Sequence, residues 1–171
     1  MKKIIFTAST ILTALAMIYG ISVLVKKSAS TTLWKQIAPA PPEAHTFDDL
    51  LDAIEWVESR GDADAIGDGG RAVGAYQIWK IYVDDVNRIQ KQWVSVSPGR
   101  KVRVFTYEDR LDRGLSRYMV RTFLKHYGGT FEEMTRKHNG GPKGHKKEST
   151  KAYWVKVKTR MEKNHENISR H

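Results

Sequence analysis

Residues 46–65 read TFDDLLDAIEWVESRGDADA, and this stretch sets the character of the folded part of the chain. Phe47, Leu50, Leu51, Ile54 and Val57 recur at the three- and four-residue spacing of a helix buried along one side. Thr46 with Asp49 three residues on is the acidic variant of a capping box, and the helix is expected to end near Gly61. Glu58 stands out in this pattern. It lies four residues past Ile54, beside the buried stripe and close to the helix end. A carboxylate held half-buried there has its charged form disfavoured by lost hydration, which is what a general acid requires. Spacing alone leaves two readings open, a solvated helix-end charge or a catalytic acid.

Outward from this helix the chain continues in helical rhythm. The Gly- and Asp-rich segment to Gly74 is loop or a short hairpin. A second helix is expected over residues 79–93, with Ile81, Val86, Ile89 and Trp93 inward; residues 94–105 fit either a loop or a small hairpin around Pro98-Gly99. Thr106 is expected to cap a long helix carrying Leu111, Leu115, Met119 and Phe123 on one stripe and ending at Gly128-Gly129. Thr130 and Glu133 form another capping box before a short helix through Phe131, Met134 and His138, stopped by Gly140-Gly141-Pro142. A last helix over about residues 149–163 carries Tyr153, Trp154 and Val157. An orthogonal bundle of about five helices fits this better than a sheet-based fold. Asp84 and Asp85 read as first-turn residues of the second helix.

The N-terminal part has another composition. Residues 4–25 form an uncharged, mostly apolar run with Lys2 and Lys3 before it and Lys26 and Lys27 after it. Its length suits a bilayer-crossing helix, and the lysines before the nearest small-x-small site argue against a cleaved signal. Residues 1–27 are therefore expected to be a transmembrane anchor that takes the lipid bilayer as a partner. Residues 28–45 are expected to be a Pro-rich tether, containing IAPAPPEAH at 37–45, and residues 46–171 a folded domain.

The chain has 171 residues, no cysteine and a formal net charge of +10. Without cysteine there are no disulfides and no Cys-ligated zinc. The charge points to an acidic partner: nucleic acid, anionic lipid or an anionic wall polymer. A nucleic-acid reader needs a helix with a basic face, whereas Glu108, Asp109 and Asp112 are mixed with the arginines of the long helix, so no nucleic-acid partner is expected. His126, His138 and His145 lack a metal-ligand pattern, and no phosphate-cradling glycine motif is present, so no metal or cofactor is expected.

Several short elements then line up. Glu58-Ser59 is followed by Gly74-Ala75-Tyr76-Gln77-Ile78, by Asn139-Gly140-Gly141, and by Tyr153-Trp154 in the last helix. In that order and spacing they resemble the lysozyme-like superfamily, in particular its soluble lytic transglycosylase and goose-type lysozyme branch. The resemblance covers about residues 50–160. It implies a lysozyme-like orthogonal helical domain that cleaves the β-1,4 bond between N-acetylmuramic acid and N-acetylglucosamine in peptidoglycan, with glycan strands as its partner.

By this resemblance Glu58 is the general acid and then the base. In transglycosylases it helps the muramoyl C6 hydroxyl attack C1 and leave a 1,6-anhydro end. In the hydrolytic alternative, a lysozyme, a second carboxylate positions water; Asp62, Asp64 and Asp68, in the loop after Glu58, are the candidates. Ser59 would orient Glu58 or touch substrate, Gly74 would let the backbone approach a sugar, and Gln77 would bond an N-acetyl group or brace the loop. Tyr76 would present a ring to a sugar face, Asn139 would contact substrate, and Tyr153 would direct its hydroxyl to Glu58. The chain departs from the family after Asn139, where residues 140–147, GGPKGHKK, read as a flexible basic loop. A further alternative is an inactive, membrane-anchored peptidoglycan-binding or structural module. With the anchor, the domain is expected on the periplasmic or envelope side of a bacterial inner membrane, or at a virion membrane. A bacteriophage lysis or entry protein and a component of an envelope-spanning machine both fit.

Overall fold

A computed structural model of the protein describes residues 44–97, 99 and 101–168. Five α-helices are formed among the described residues. They are α1 (Phe47–Ser59), α2 (Lys80–Val96), α3 (Arg113–Tyr127), α4 (Phe131–Gly140) and α5 (Lys151–Ile168). Between α1 and α2 lies a minimal antiparallel hairpin, β1 (Ile66–Gly67) and β2 (Ala72–Val73), with Ile66 opposite Val73.

The helix starts follow side-chain chemistry. The Thr46 amide donates to Asp49 Oδ2 at 2.7 Å while the Asp49 amide donates to Thr46 Oγ1 at 3.2 Å. Thr130 and Glu133 repeat the exchange before α4, at 3.0 and 3.2 Å. Each exchange satisfies amides that a helix start leaves unpaired. The long helix begins later than the expected cap at Thr106. Residues Glu108–Leu111 form a 3-10 turn, and Asp112, in extended conformation, accepts from the Leu115 amide at 2.8 Å. Asp is a strong helix cap, and this one lies nearer the apolar stripe than Thr106. Leu111, expected inward, is left exposed.

One contiguous core joins Leu50, Leu51 and Ile54 of α1 to Val83, Val86 and Ile89 of α2, Met119, Val120 and Phe123 of α3, and Val157 and Met161 of α5. Helix α1 packs on α5 and α3, α2 on α3, and α4 on α3 and α5. Ile81, expected inward, is 72% exposed. The buried stripe of α2 runs through Val83, Val86 and Ile89 with Tyr82 and Trp93 packed against it, and Ile81 is off that phase. Residues 101–106 are irregular rather than a strand.

A polar seam joins α1 to α3. Arg117 donates to Asp52 at 2.5 Å, to Asp48 at 2.9 Å and to the Tyr76 hydroxyl at 3.0 Å. Arg113 pairs with Glu55, a carboxylate almost wholly buried in α1. Tyr76 in turn donates to Glu55 at 3.1 Å. Burial pushes the Tyr76 hydroxyl well above its usual titration range, so it remains a donor.

The hairpin region is held to the bundle by Arg110. Its guanidinium donates to the carbonyls of Tyr107 at 2.6 Å, Ile78 at 3.0 Å and Arg71 at 3.3 Å. Its own carbonyl sits where a side chain at Gly74 would begin: a Cβ there would lie 1.9 Å from Arg110 O, and φ is +81°. Only glycine meets both conditions without strain.

The segment read as a flexible basic loop is instead ordered. Turns at Gly144–Lys146 and Glu148–Thr150 are pinned by buried Arg136, which donates to the Lys147 carbonyl at 3.0 Å and to Thr150 Oγ1 at 3.1 Å. A charge count could not reveal that anchor, because it comes from the preceding helix.

The expected membrane span, residues 4–25, and nearly all of the tether lie outside the described residues. Among the described residues no helix is long and apolar enough to cross a membrane. The description as a single-pass membrane protein held in a lipid bilayer, with its domain on the envelope side, is corrected to what is found: the described residues form an all-α domain without a spanning helix.

Gly74→Ala should lower stability by well over about 1 kcal/mol, because it adds a backbone clash to an unfavourable φ. Gly69→Ala, at φ +66° in open space, should cost less. Urea unfolding of the two variants measures the difference.

Candidate active site

The end of α1, the hairpin region, the start of α2 and the end of α4 enclose a cleft of about 880 Å³. Glu58, Asp68, Gln77, Trp79, Tyr82, Asp84, Asp85, Arg88, His138 and Asn139 are among its lining residues. Glu58 is brought there because α1 stops one residue later, with Arg60 left-handed at the cap, and the chain turns away.

The Glu58 side chain is 18% exposed. Tyr153 of α5 donates its hydroxyl to Glu58 Oε1 at 2.6 Å. Burial, then the Glu58 charge, pushes the Tyr153 hydroxyl far above its usual range, so it stays protonated and donating. His138 of α4 brings Nε2 to 3.5 Å from the same oxygen, and its Nδ1 lies 3.2 Å from the Tyr82 hydroxyl. Tyr82 is also raised by burial and by the nearby carboxylates Asp85 and Glu58. When Tyr82 donates to Nδ1, Nε2 carries the ring hydrogen and faces Glu58. Two oriented groups from two helices thus hold one carboxylate that opens on a cleft.

The other expected site residues are placed differently. Ser59 Oγ donates to the Ala75 carbonyl at 2.8 Å and accepts from the Gly61 amide at 3.1 Å, tying the helix end to the segment that follows β2. Gly74 does not line the cleft; the close approach it permits is that of the Arg110 backbone, not of a sugar. Tyr76 is fully buried and bonded to Glu55 and Arg117, so the expectation that it presents its ring to a sugar is corrected. Gln77 lines the cleft and braces the loop, donating to the Ala65 and Gly74 carbonyls, each at 3.0 Å. Asn139 is exposed at the cleft. Of the three loop aspartates only Asp68 lines it, paired with Arg71 at 3.6 Å. Asp62 accepts from the Asp64 amide at 2.9 Å in an ordinary exposed turn.

Sequence reading missed His138 and Tyr82 as neighbours of Glu58, and Asp84, Asp85 and Trp79 as cleft walls. His138 directly precedes Asn139, which offered a local signal; Tyr82 needed the correct phase of α2. Among the described residues no group of three or more His, Asp or Glu side chains is arranged to hold a metal ion.

Backbone strain is concentrated here. Among the described residues the non-glycine positions with left-handed φ are Arg60, Asp68 and Gln77, all between the end of α1 and the start of α2. Such strain persists where the surroundings impose it, and it gathers at functional sites. No protein-family model matches the chain, and no curated protein matches it.

Tyr153→Phe and Glu58→Ala combined in a double-mutant cycle should show a coupling of about 1–2 kcal/mol in urea unfolding at pH 7. Strictly additive values would mean the Tyr153–Glu58 bond is not formed in solution.

Proposed function

We propose that this protein cleaves the β-1,4 bond between N-acetylmuramic acid and N-acetylglucosamine in peptidoglycan, with Glu58 as the acid. One observation carries the reading: a carboxylate held by a buried tyrosine hydroxyl opens onto a cleft of about 880 Å³. The resemblance of Glu58-Ser59, the Gly74–Ile78 segment and Asn139-Gly140 to lytic transglycosylases gives that carboxylate its substrate.

Glu58 in its protonated form gives its proton to the glycosidic oxygen as the bond to C1 breaks. The resulting carboxylate then takes the proton of the muramoyl C6 hydroxyl as that oxygen bonds C1, closing a 1,6-anhydro ring and restoring the acid. Both steps need one carboxylate, and Tyr153 and His138 keep it aimed at one point between them. Asp62 and Asp64 lie outside the cleft lining, and Asp84 is engaged by the Tyr107 hydroxyl at 2.9 Å. This favours the anhydro-forming route. The hydrolytic alternative rests on Asp68, which does line the cleft and would serve as the second carboxylate that positions water.

Mass spectrometry of fragments released from purified peptidoglycan tests the proposal. The expected products end in 1,6-anhydromuramic acid, and Glu58→Gln should reduce their release by at least about a hundredfold. Reducing muramic acid ends, lost in Asp68→Asn, would establish the hydrolytic route. Release unaffected by Glu58→Gln would overturn the assignment of the acid.

A further inference from the structure

Most arginines among the described residues are engaged. They pair with carboxylates or, for Arg110, donate to three carbonyls. Arg60 and Arg160 are the exceptions. Among the described residues neither guanidinium meets an acceptor, and Arg160 Nε is buried without one.

Both lie over the same ring. The guanidinium carbon of Arg160 is 4.2 Å, and that of Arg60 5.4 Å, from the Trp56 ring centroid. Trp56 is 39% exposed and does not line the cleft, although it precedes Glu58 by two residues on α1. Arg60 adopts left-handed backbone, φ 58° and ψ 27°, where glycine would be less strained. On α5, exposed Lys156 and Lys163 flank Arg160 at helical spacing on the same side. A guanidinium lying over an indole gains from the ring without using its terminal N–H donors, which are left to be filled. A fork of that geometry matches an oxyanion pair such as a carboxylate.

We propose that Trp56, Arg60 and Arg160 form a carboxylate-recognition site, outside the cleft, for the peptide stems of the glycan strand. This rests on the reading of the cleft as a glycan site. The nearest anions on a strand held at Glu58 are the carboxylates of its own stems, and the site joins α1 and α5, the helices that carry Glu58 and Tyr153. Neutral sugars are then handled in the cleft and charged stems beside it.

Isothermal calorimetry on the full chain carrying Glu58→Gln, to prevent turnover, tests this. The titrants are glycan strands with stems and the same strands with stems enzymatically removed. Stem-bearing strands are expected to bind about tenfold tighter at low salt, and Arg60→Gln with Arg160→Gln should abolish that preference while leaving stem-free strands unaffected. Arg160→Lys keeps charge and packing without the fork and should lose most of the preference; it carries the test if the double variant melts early. Equal affinity for the two strands, or a preference that survives these substitutions, would overturn the proposal while the cleft reading stands. Failure of both strands to bind would remove the cleft reading and this one together.

Discussion

The region after α1 hangs on one side chain. Arg110, itself buried, donates to carbonyls on both sides of β2, and its own carbonyl occupies the space left by the missing side chain of Gly74. The hairpin's two-residue strands are too short to stand alone. Without that clamp, nothing in their own ladder would hold Gln77 and Trp79 opposite α4. The cleft exists because a short, strained turn is fastened to a well-packed bundle.

The bundle in turn supplies the precision at Glu58. Helices α4 and α5 arrive from the far end of the sequence, and each directs one group at the same carboxylate oxygen. The apolar core fixes those helices, so the carboxylate is held by packing that does not touch it. On α1 itself, the carboxylate that holds the structure is separate from the one in the cleft. Glu55, three residues earlier, is buried and consumed by Arg113 and Tyr76, whereas Glu58 faces open space. One helix thus carries a structural carboxylate and an available one.

Much of the helical architecture was legible because it is written locally. The Thr46 and Thr130 capping boxes, the apolar stripe of α1 and the glycine stop at Gly61 are short-range patterns. Three features were not legible, for a common reason. The burial of Tyr76, the anchoring of the 143–150 segment by Arg136, and the role of Gly74 all depend on partners distant in sequence. A tyrosine between an alanine and a glutamine looks like a surface ring until Glu55 and Arg117 are seen to claim its hydroxyl. The start of α3 was misread because two capping residues, Thr106 and Asp112, compete within one turn and a half. Proximity of Tyr153 to Glu58 had no local signal, and only the family resemblance suggested it.

The account stands on the cleft at Glu58 receiving a glycan. The most direct measurement is amide chemical-shift mapping of the Glu58→Gln chain titrated with an uncharged N-acetylglucosamine tetramer. The account predicts shifts concentrated at residue 58, at 77–79 and at 139–141, on the walls of one cleft. Shifts confined to the basic 143–151 segment or to the outer face of α5, with the cleft silent, would contradict it.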